Sequence, residues 1–285
     1  MPVLSILACE MLEDELVHVL SKDHGIKQLY LVENTNSFRL TRKLKSKELH
    51  PLVFHFDRLP DIVTENERNI FLDLILRFSK FDFLKNIHAE LKAKKDEQLI
   101  IVVNLLSKNL HADLDRLHSE VCRNAREMSK ISDGILIFYG KCAYSSESEA
   151  DLKSLECPVY FLKDNNKGVA DDCISVALGG NSSYTETKVK WGGKGSIYTT
   201  PMWSFSFQEW LDGSTPEFND IKKYFDNPEY EQVFKINTPS LTNSDYDRSV
   251  SDFAKYFDMN VIEVKGTMEL SFDSYMNAKA GVCKR

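Results

Sequence analysis

The sequence predicts an α/β protein: a mostly parallel sheet with helices on both faces, in Rossmann-like layers that fall into one or two lobes. Short apolar runs alternate with stretches of helical periodicity along most of the 285 residues. The run Leu99–Leu105 is apolar except for one amide, which is typical of a strand covered on both faces. The chain is also long enough for one large domain or two ordinary ones.

The first half of the chain predicts a regular alternation of strands and helices. The first helix is the clearest, because Leu12, Leu16 and Leu20 recur on one face. The tract from Glu65 to about Lys95 has no internal glycine or proline, and it predicts one long helix or two. The strands predicted here are Val3–Ala8, Leu29–Val32, Leu52–Phe56 and Leu99–Leu105, and the other helices are Met11–Ser21 and Ser37–Lys45.

The second half continues the alternation and then becomes less regular. Its predicted elements are the helix Asp113–Met128, the strands Ile135–Tyr139 and Val159–Leu162, the helix Asp172–Leu178 that Gly179-Gly180 terminates, the helices Phe218–Phe225 and Asp245–Phe257, and the strand Val261–Val264. The segment 212–245 contains proline and serine. It is either a boundary between an α/β core of residues 1–211 and a C-terminal lobe of residues 212–285, or a set of loops within one domain of residues 1–285.

Charge and hydropathy exclude several classes of protein. The 36 basic and 43 acidic residues give a net charge of −7, so we expect no binding to nucleic acid or to anionic membranes. No apolar run approaches the eighteen or so residues of a transmembrane helix. The N-terminus lacks the basic segment of a signal peptide, and acidic residues follow Cys9 at once. We therefore expect a cytoplasmic protein whose cysteines are reduced.

Four potential metal ligands fall at or just after the carboxyl ends of predicted strands: Cys9, His111, Cys142 and Cys173. A single reduced cysteine is most often a small buried hydrophobe. Because the carboxyl ends of parallel strands meet at one edge, however, we expect these four side chains to lie close together. Three thiolates and an imidazole suit tetrahedral zinc, and three thiolates alone suit an iron–sulfur cluster with one open iron.

Other interpretations stay open at this point. No Cys-x-x-Cys pair supports the metal site, and Cys173 near a helix N-terminus would also suit a reactive free thiol. His55, at the end of a predicted strand, is a poorer fifth ligand. The segment Gly192–Ser196 looks like a phosphate loop but lacks the required spacing, so a flexible turn is favoured. No Gly-x-Gly-x-x-Gly fingerprint follows the first strand.

Short motifs surround these residues: Ala8-Cys9-Glu10, Leu110-His111, Tyr139-Gly140-Lys141-Cys142, Asp171-Asp172-Cys173-Ile174 with Leu178-Gly179-Gly180, and Gly195-Ser196-Ile197-Tyr198-Thr199-Thr200-Pro201-Met202-Trp203. From about residue 4 to beyond Trp210, these motifs resemble the domain-of-unknown-function 1638 family. The resemblance implies the same shared site of three cysteines and one histidine. Ala143 stands where the family usually has glycine, so a loop that needs a positive φ there would be strained.

The resemblance also implies a role, because such proteins occur in methanogenic archaea and anaerobic bacteria and are often encoded near corrinoid-dependent methyltransferase systems. It implies a metal- or corrinoid-handling accessory protein of one-carbon metabolism, with a zinc or iron ion, an iron–sulfur cluster or a corrinoid as cofactor. The expected partner is a corrinoid protein or a methyltransferase, and Glu10, Tyr198 and Trp203 are the residues expected to contact the cofactor. The alternatives are a zinc-dependent methyltransferase that activates a thiol and a non-catalytic partner-binding protein.

Overall fold

A computed structural model describes residues 1–60, 99–191, 195–211, 230–239 and 244–284. The fold class is confirmed as α/β, with one six-stranded sheet and one three-stranded sheet. Every pair of neighbouring strands in the two sheets is parallel. The helical tract predicted over Glu65–Lys95 and the helix predicted over Phe218–Phe225 lie outside the described residues.

The large sheet has the strand order β3-β2-β4-β1-β5-β6. The central strands β1, β4 and β5 are apolar almost throughout and nearly all of their residues are buried, because helices cover both faces. Ala8 pairs with Leu105 of β4 and with Phe138 of β5, so these three strands end at the same level. The strands are β1 (Val3–Cys9), β2 (Ile26–Val32), β3 (Leu52–Phe54), β4 (Leu99–Leu106), β5 (Gly134–Phe138) and β6 (Val159–Phe161).

Helices follow the strands as the sequence predicts, with small changes at the boundaries. They are α1 (Glu13–Lys22), α2 (Ser37–Lys45), α3 (Leu114–Ser129), α4 (Ser146–Lys153), α5 (Cys173–Leu178), α6 (Asn181–Trp191), α7 (Pro201–Leu211), α8 (Ser244–Tyr256) and α9 (Glu269–Cys283). The first helix begins at Glu13 instead of Met11, because Glu10–Leu12 form a short 3₁₀ turn. The predicted strand Leu52–Phe56 ends at Phe54 and gives way to another 3₁₀ turn.

The order of the strands opens a crevice at the carboxyl edge of the large sheet. The chain leaves β1 toward β2 on one side and leaves its neighbour β5 toward β6 on the other. Right-handed crossovers then place α1 and α2 on one face and α3 and α4 on the opposite face. Connections that diverge from adjacent strands leave room for a ligand beyond the strand ends.

The C-terminal helix α9 completes the layer that contains α1. Asp23, in the turn before β2, accepts hydrogen bonds from the Tyr275 hydroxyl and from Lys279 Nζ, each at 2.5 Å. Both donors belong to α9, which also packs on β1 and β5. A buried carboxylate therefore fixes the end of the chain to its beginning.

The small sheet consists of β7 (Gly195–Thr199), β8 (Tyr230–Asn237) and β9 (Asn260–Lys265), in that order. Sequence analysis predicted only the third of these strands. Lys235 of β8 is largely buried and contacts both Asp247 and Glu263, so a charged residue lies within the buried part of this strand. The first strand precedes residue 212, and the subdivision predicted at that position stays a prediction.

No helix within the described ranges is both long and apolar enough to cross a membrane.

Candidate functional site

Cys9 is the last residue of the central strand β1 and is almost completely buried. Its sulfur accepts a hydrogen bond from the backbone N–H of Met11 at 3.4 Å, because the chain turns at once into the 3₁₀ turn Glu10–Leu12. The thiol therefore lies at the carboxyl edge of the sheet, at the crevice that the strand order creates.

His111 lies in the 3₁₀ turn Lys108–Ala112, which directly follows β4. Its Nδ1 is 3.1 Å from the carbonyl oxygen of Lys108. A carbonyl oxygen can only accept a hydrogen bond, so Nδ1 carries the proton and donates it. Burial lowers the pKa of His111, which favours the neutral ring. The lone pair of Nε2 is therefore available, and Nε2 is 3.9 Å from the Cys142 sulfur.

Two loops carry the remaining thiols and are held together by backbone hydrogen bonds. The N–H groups of Lys141 and Cys142 donate to the carbonyl oxygens of Ala170 and Asp171, at 2.8 and 3.1 Å. This approach requires Gly140, because a Cβ there would lie 2.6–2.8 Å from backbone atoms of residues 171 and 172. Cys173 begins α5 immediately afterwards.

Local sequence features define both ends of helix α5. Asp172 caps it by accepting a hydrogen bond from the Ser175 N–H at 2.7 Å. Gly179 terminates it with a φ of 90°, as predicted. Cys173 is therefore held in the first turn of a helix that has fixed ends.

Ala143 is buried in the 3₁₀ turn Lys141–Ala143. The residues other than glycine with positive φ in the described chain are Glu48, Lys167 and Asp258. The loop therefore does not need a left-handed backbone at Ala143, and the condition for strain at that position is not met.

The three thiols are close enough to influence one another, and all are held in the protonated form. Burial raises the pKa of Cys142 to about 11, and the charge of Asp172 adds to the effect. Burial also raises the pKa of Cys9 and of Cys173, and in Cys9 the neighbouring Cys173 and Cys142 contribute. The unliganded site therefore contains neutral thiols beside a neutral imidazole.

These four side chains do not yet form a coordination sphere. Among the described residues, no group of three or more His, Cys, Asp or Glu side chains is arranged to hold a metal ion. Within the predicted set, the Cys142 sulfur and His111 Nε2 are 3.9 Å apart. The predicted ligand set stays a prediction.

Glu10 joins the loop of Cys9 to the loop of His111. One of its carboxylate oxygens accepts hydrogen bonds from the Lys108 backbone N–H at 2.8 Å and from Asn36 Nδ2 at 3.3 Å, and the other accepts from Arg39 at 2.8 Å. Both oxygens are thus engaged by the protein. A cofactor contact by Glu10, as predicted from the sequence, would compete with these bonds.

The two aromatic residues predicted to contact a cofactor lie at different distances from the thiols. Burial raises the pKa of the Cys173 thiol, and the Trp203 indole beside it acts in the opposite direction. Tyr198 belongs to the core of the small sheet, where its ring stacks on Phe234 at 4.7 Å and meets the edge of Tyr184 at 5.1 Å. Of the two residues, Trp203 is therefore the better placed to contact a cofactor at the thiols.

Sequence analysis missed Tyr139, Arg39 and Glu15 as residues of this region. Tyr139 follows the apolar strand β5 and so resembles a core residue. Arg39 lies on a helix with several basic residues, and nothing local shows that it pairs with Glu10 and Glu13. Burial raises the pKa of Glu15 to about 8, and its charge would act on Cys173.

The two weaker sequence candidates lie apart from the thiols. His55 is exposed and contacts Glu33 at 3.1 Å. Residues 192–194 of the glycine-rich segment lie outside the described residues, and Gly195 and Ser196 begin strand β7.

Fold and site together define an α/β protein with thiols and an imidazole at the carboxyl edge of a parallel sheet. The chain belongs to the family described as protein of unknown function DUF1638, which it matches over residues 105–273. This match covers more than half of the chain and includes His111, Cys142 and Cys173, while Cys9 precedes it. No curated protein and no solved structure matches the chain.

Proposed function

We propose that this protein binds a soft metal ion through Cys9, His111, Cys142 and Cys173 and serves as a metal- or corrinoid-handling accessory protein of one-carbon metabolism. The observation that supports it most is the contact between His111 Nε2 and the Cys142 sulfur at 3.9 Å. In a tetrahedral zinc site, the usual bond lengths place the coordinating sulfur and nitrogen atoms about 3.6 Å apart. This pair therefore needs little movement to share an ion.

The orientation of His111 also supports the proposal. Histidine ligands commonly donate the second ring N–H to a backbone carbonyl or carboxylate, which fixes the ring and the tautomer. His111 has this arrangement, with Nδ1 held by the Lys108 carbonyl and Nε2 facing Cys142.

The chemistry of the donor set restricts the ion. Thiolates and an imidazole favour zinc or iron over magnesium or calcium, which prefer oxygen ligands. The nearby carboxylates of Glu10 and Glu13 are engaged by Arg39, so they are poor competitors for the ion. When bound, the ion would supply Lewis acidity or redox chemistry, and the chain would supply the ligands and their protonation state.

The proposed role in one-carbon metabolism rests on the family resemblance. A corrinoid would need an apolar wall beside the metal ligands, and Trp203 next to Cys173 is a suitable side chain for it. The proposed partner is then a corrinoid protein or a methyltransferase.

The second candidate is a zinc-dependent methyltransferase that activates a thiol. It is favoured by the state of Cys9, whose sulfur already accepts a hydrogen bond from the Met11 N–H. If Cys9 stays out of the coordination sphere, His111, Cys142 and Cys173 would leave one position open for a substrate thiol.

The experiment is an elemental and optical analysis of protein purified without oxygen, followed by zinc and cobalt(II) titration against a chromogenic chelator. We expect one ion per chain. Cys142→Ser, Cys173→Ser and His111→Ala should each weaken binding by more than the roughly 10–100-fold that outer partners contribute. Cys9→Ser separates the two candidates, since it should weaken binding only if Cys9 is a ligand.

The matched control is Cys122→Ser, which removes a thiol in the middle of α3 that faces the Ser148 carbonyl. It should leave metal affinity unchanged. A wild-type protein that takes up neither metal would contradict the proposal. Methyl transfer to a thiol would favour the enzyme, and cobalamin binding without turnover would favour the accessory role.

A further inference from the structure

The hydroxyl group of Tyr139 is buried without a hydrogen-bond partner within the described residues. The whole side chain is inaccessible to solvent. Leaving such a group unpaired costs stability, so native proteins usually satisfy it with a protein group, a water molecule or a ligand. An unpaired hydroxyl at the edge of a sheet that carries three thiols therefore requires an explanation.

The backbone places Tyr139 between the proposed metal ligands. Because Ala8 pairs with Phe138, the next residues along the two strands, Cys9 and Tyr139, are neighbours at the sheet edge. The Tyr139 ring stacks on the imidazole of His111, with 6.4 Å between centroids and 20° between planes. Tyr139 directly follows β5, Cys9 ends β1, and His111 lies in the turn after β4. Three separate segments therefore bring these side chains together at the sheet edge.

The Cys9 sulfur lies beside Tyr139 at the sheet edge and is the candidate acceptor for this hydroxyl. A neutral thiol is a weak acceptor, whereas a thiolate accepts strongly from an O–H group. An ionised Cys9 would accept a hydrogen bond from Tyr139, and the charges of Cys9 and Cys142 both act on this hydroxyl. The pairing of β1 with β5 already places the Tyr139 hydroxyl beside the sulfur that would accept from it in a metal-bound site.

We infer that Tyr139 is a positioning residue of the metal site: its hydroxyl donates to the Cys9 sulfur in the metal-bound state, and its ring orients His111. This inference rests on the proposed function. It also commits Cys9 to the coordination sphere, and so it selects the four-ligand arrangement over the one with an open position.

A second buried tyrosine gives the matched control. Tyr144 also has a buried hydroxyl without a partner in the described chain, and it lies two residues beyond Cys142. Its ring packs on Phe161 at 5.2 Å instead of on the imidazole. Removing its hydroxyl therefore tests a general effect of losing a buried polar atom near the thiols, without the contact to Cys9.

The test compares Tyr139→Phe with Tyr144→Phe in the full-length protein, using zinc affinity and the optical spectrum of the cobalt(II) form. Tyr139→Phe should weaken zinc binding by about 10–100-fold and shift the sulfur-to-cobalt charge-transfer band, because one thiolate loses its hydrogen bond. Tyr144→Phe should change neither. Thermal unfolding of the metal-free variants shows whether each is folded, and neither should melt earlier than wild type.

Three outcomes are distinguishable. A folded Tyr139→Phe variant with wild-type affinity and an unshifted band would overturn the role of Tyr139 and leave the metal site intact. Equal losses in both variants would also overturn it, because the effect would then be general. A wild-type protein that binds neither zinc nor cobalt would overturn the proposed function and the inference with it.

Discussion

Two polar clusters meet at the carboxyl edge of the large sheet, and they differ in how their charges are balanced. In the acidic cluster, Glu13 is fully buried and paired with both Arg39 and Lys43, at 2.7 and 3.0 Å, while Glu10 pairs with Arg39 and Asp14 with Lys43. In the thiol cluster, the described groups that favour ionisation are backbone N–H groups and an indole, not cationic side chains.

The difference lies in whether the chain itself supplies the charges that balance each cluster. Carboxylates that carry their own cations are satisfied in the folded chain and add rigidity to the turn that follows β1. Burial raises the pKa values of the three thiols and keeps them neutral. Under the proposed function, a metal ion would supply the positive charge that a thiolate cluster needs.

The largest expected effect is on the acidic cluster. Arg39→Met should lower the free energy of unfolding by about 3 kcal/mol, because the buried Glu13 would keep only Lys43 as a cationic partner. Urea denaturation measures this loss. Arg123→Met is the control, since Arg123 pairs with Glu120 on an exposed helix surface, and it should cost about 0.5 kcal/mol or less. Equal losses in the two variants would show that the acidic cluster is not an integral part of the fold.

The next effect is on the loops that carry the thiols. Gly140→Ala should lower the free energy of unfolding by about 1–3 kcal/mol, because the added Cβ would collide with the backbone of residues 171 and 172. It should also weaken zinc binding by moving Cys142 away from Cys173. Gly168→Ala is the control, since its Cβ would meet the Asp164 side chain at an ordinary 3.4 Å. Unchanged zinc affinity in Gly140→Ala would contradict the shared site.

A smaller effect is expected at Asp23, a paired carboxylate far from the thiols. Burial works against its ionisation, but bonds from Lys279 and Tyr275 keep its pKa below the ordinary value. Its contribution to stability is therefore present above the unfolded pKa of about 3.9 and is lost as the pH falls through the folded pKa.

Asp23→Asn should accordingly lower the free energy of unfolding by about 1.5 kcal/mol at pH 7 and flatten its decline below pH 4. Glu127→Gln, in an exposed pair with Lys130, should do neither. A variant as acid-sensitive as wild type would show that Asp23 does not link α9 to the rest of the fold through its charge.

The large sheet and the positions of the thiols could be predicted from the sequence because their signals are local. Continuous apolar runs mark β1 and β4, and a glycine pair marks the end of α5. The positions of Cys9 and His111 at the sheet edge follow directly from where β1 and β4 end.

The rest depends on contacts between distant segments. Strand β8 was missed because half of its residues are polar, and Lys235 is buried only through its partners Asp247 and Glu263 on other elements. In the sequence, Glu13 resembles an ordinary exposed acid in the first turn of a helix. Only the fold shows that Arg39 donates a hydrogen bond to it. Tyr139 looks like a core residue until the register of β1 and β5 brings it to Cys9.

The most direct test of the central claim is the number of protons released when zinc binds. Isothermal titration at pH 7 in buffers of different ionisation enthalpy measures it. Because all three thiols are neutral and His111 is already unprotonated, about three protons should leave per zinc ion, and affinity should rise steeply with pH. Zinc binding that releases no protons, or that is independent of pH, would contradict a site built from Cys9, Cys142, Cys173 and His111.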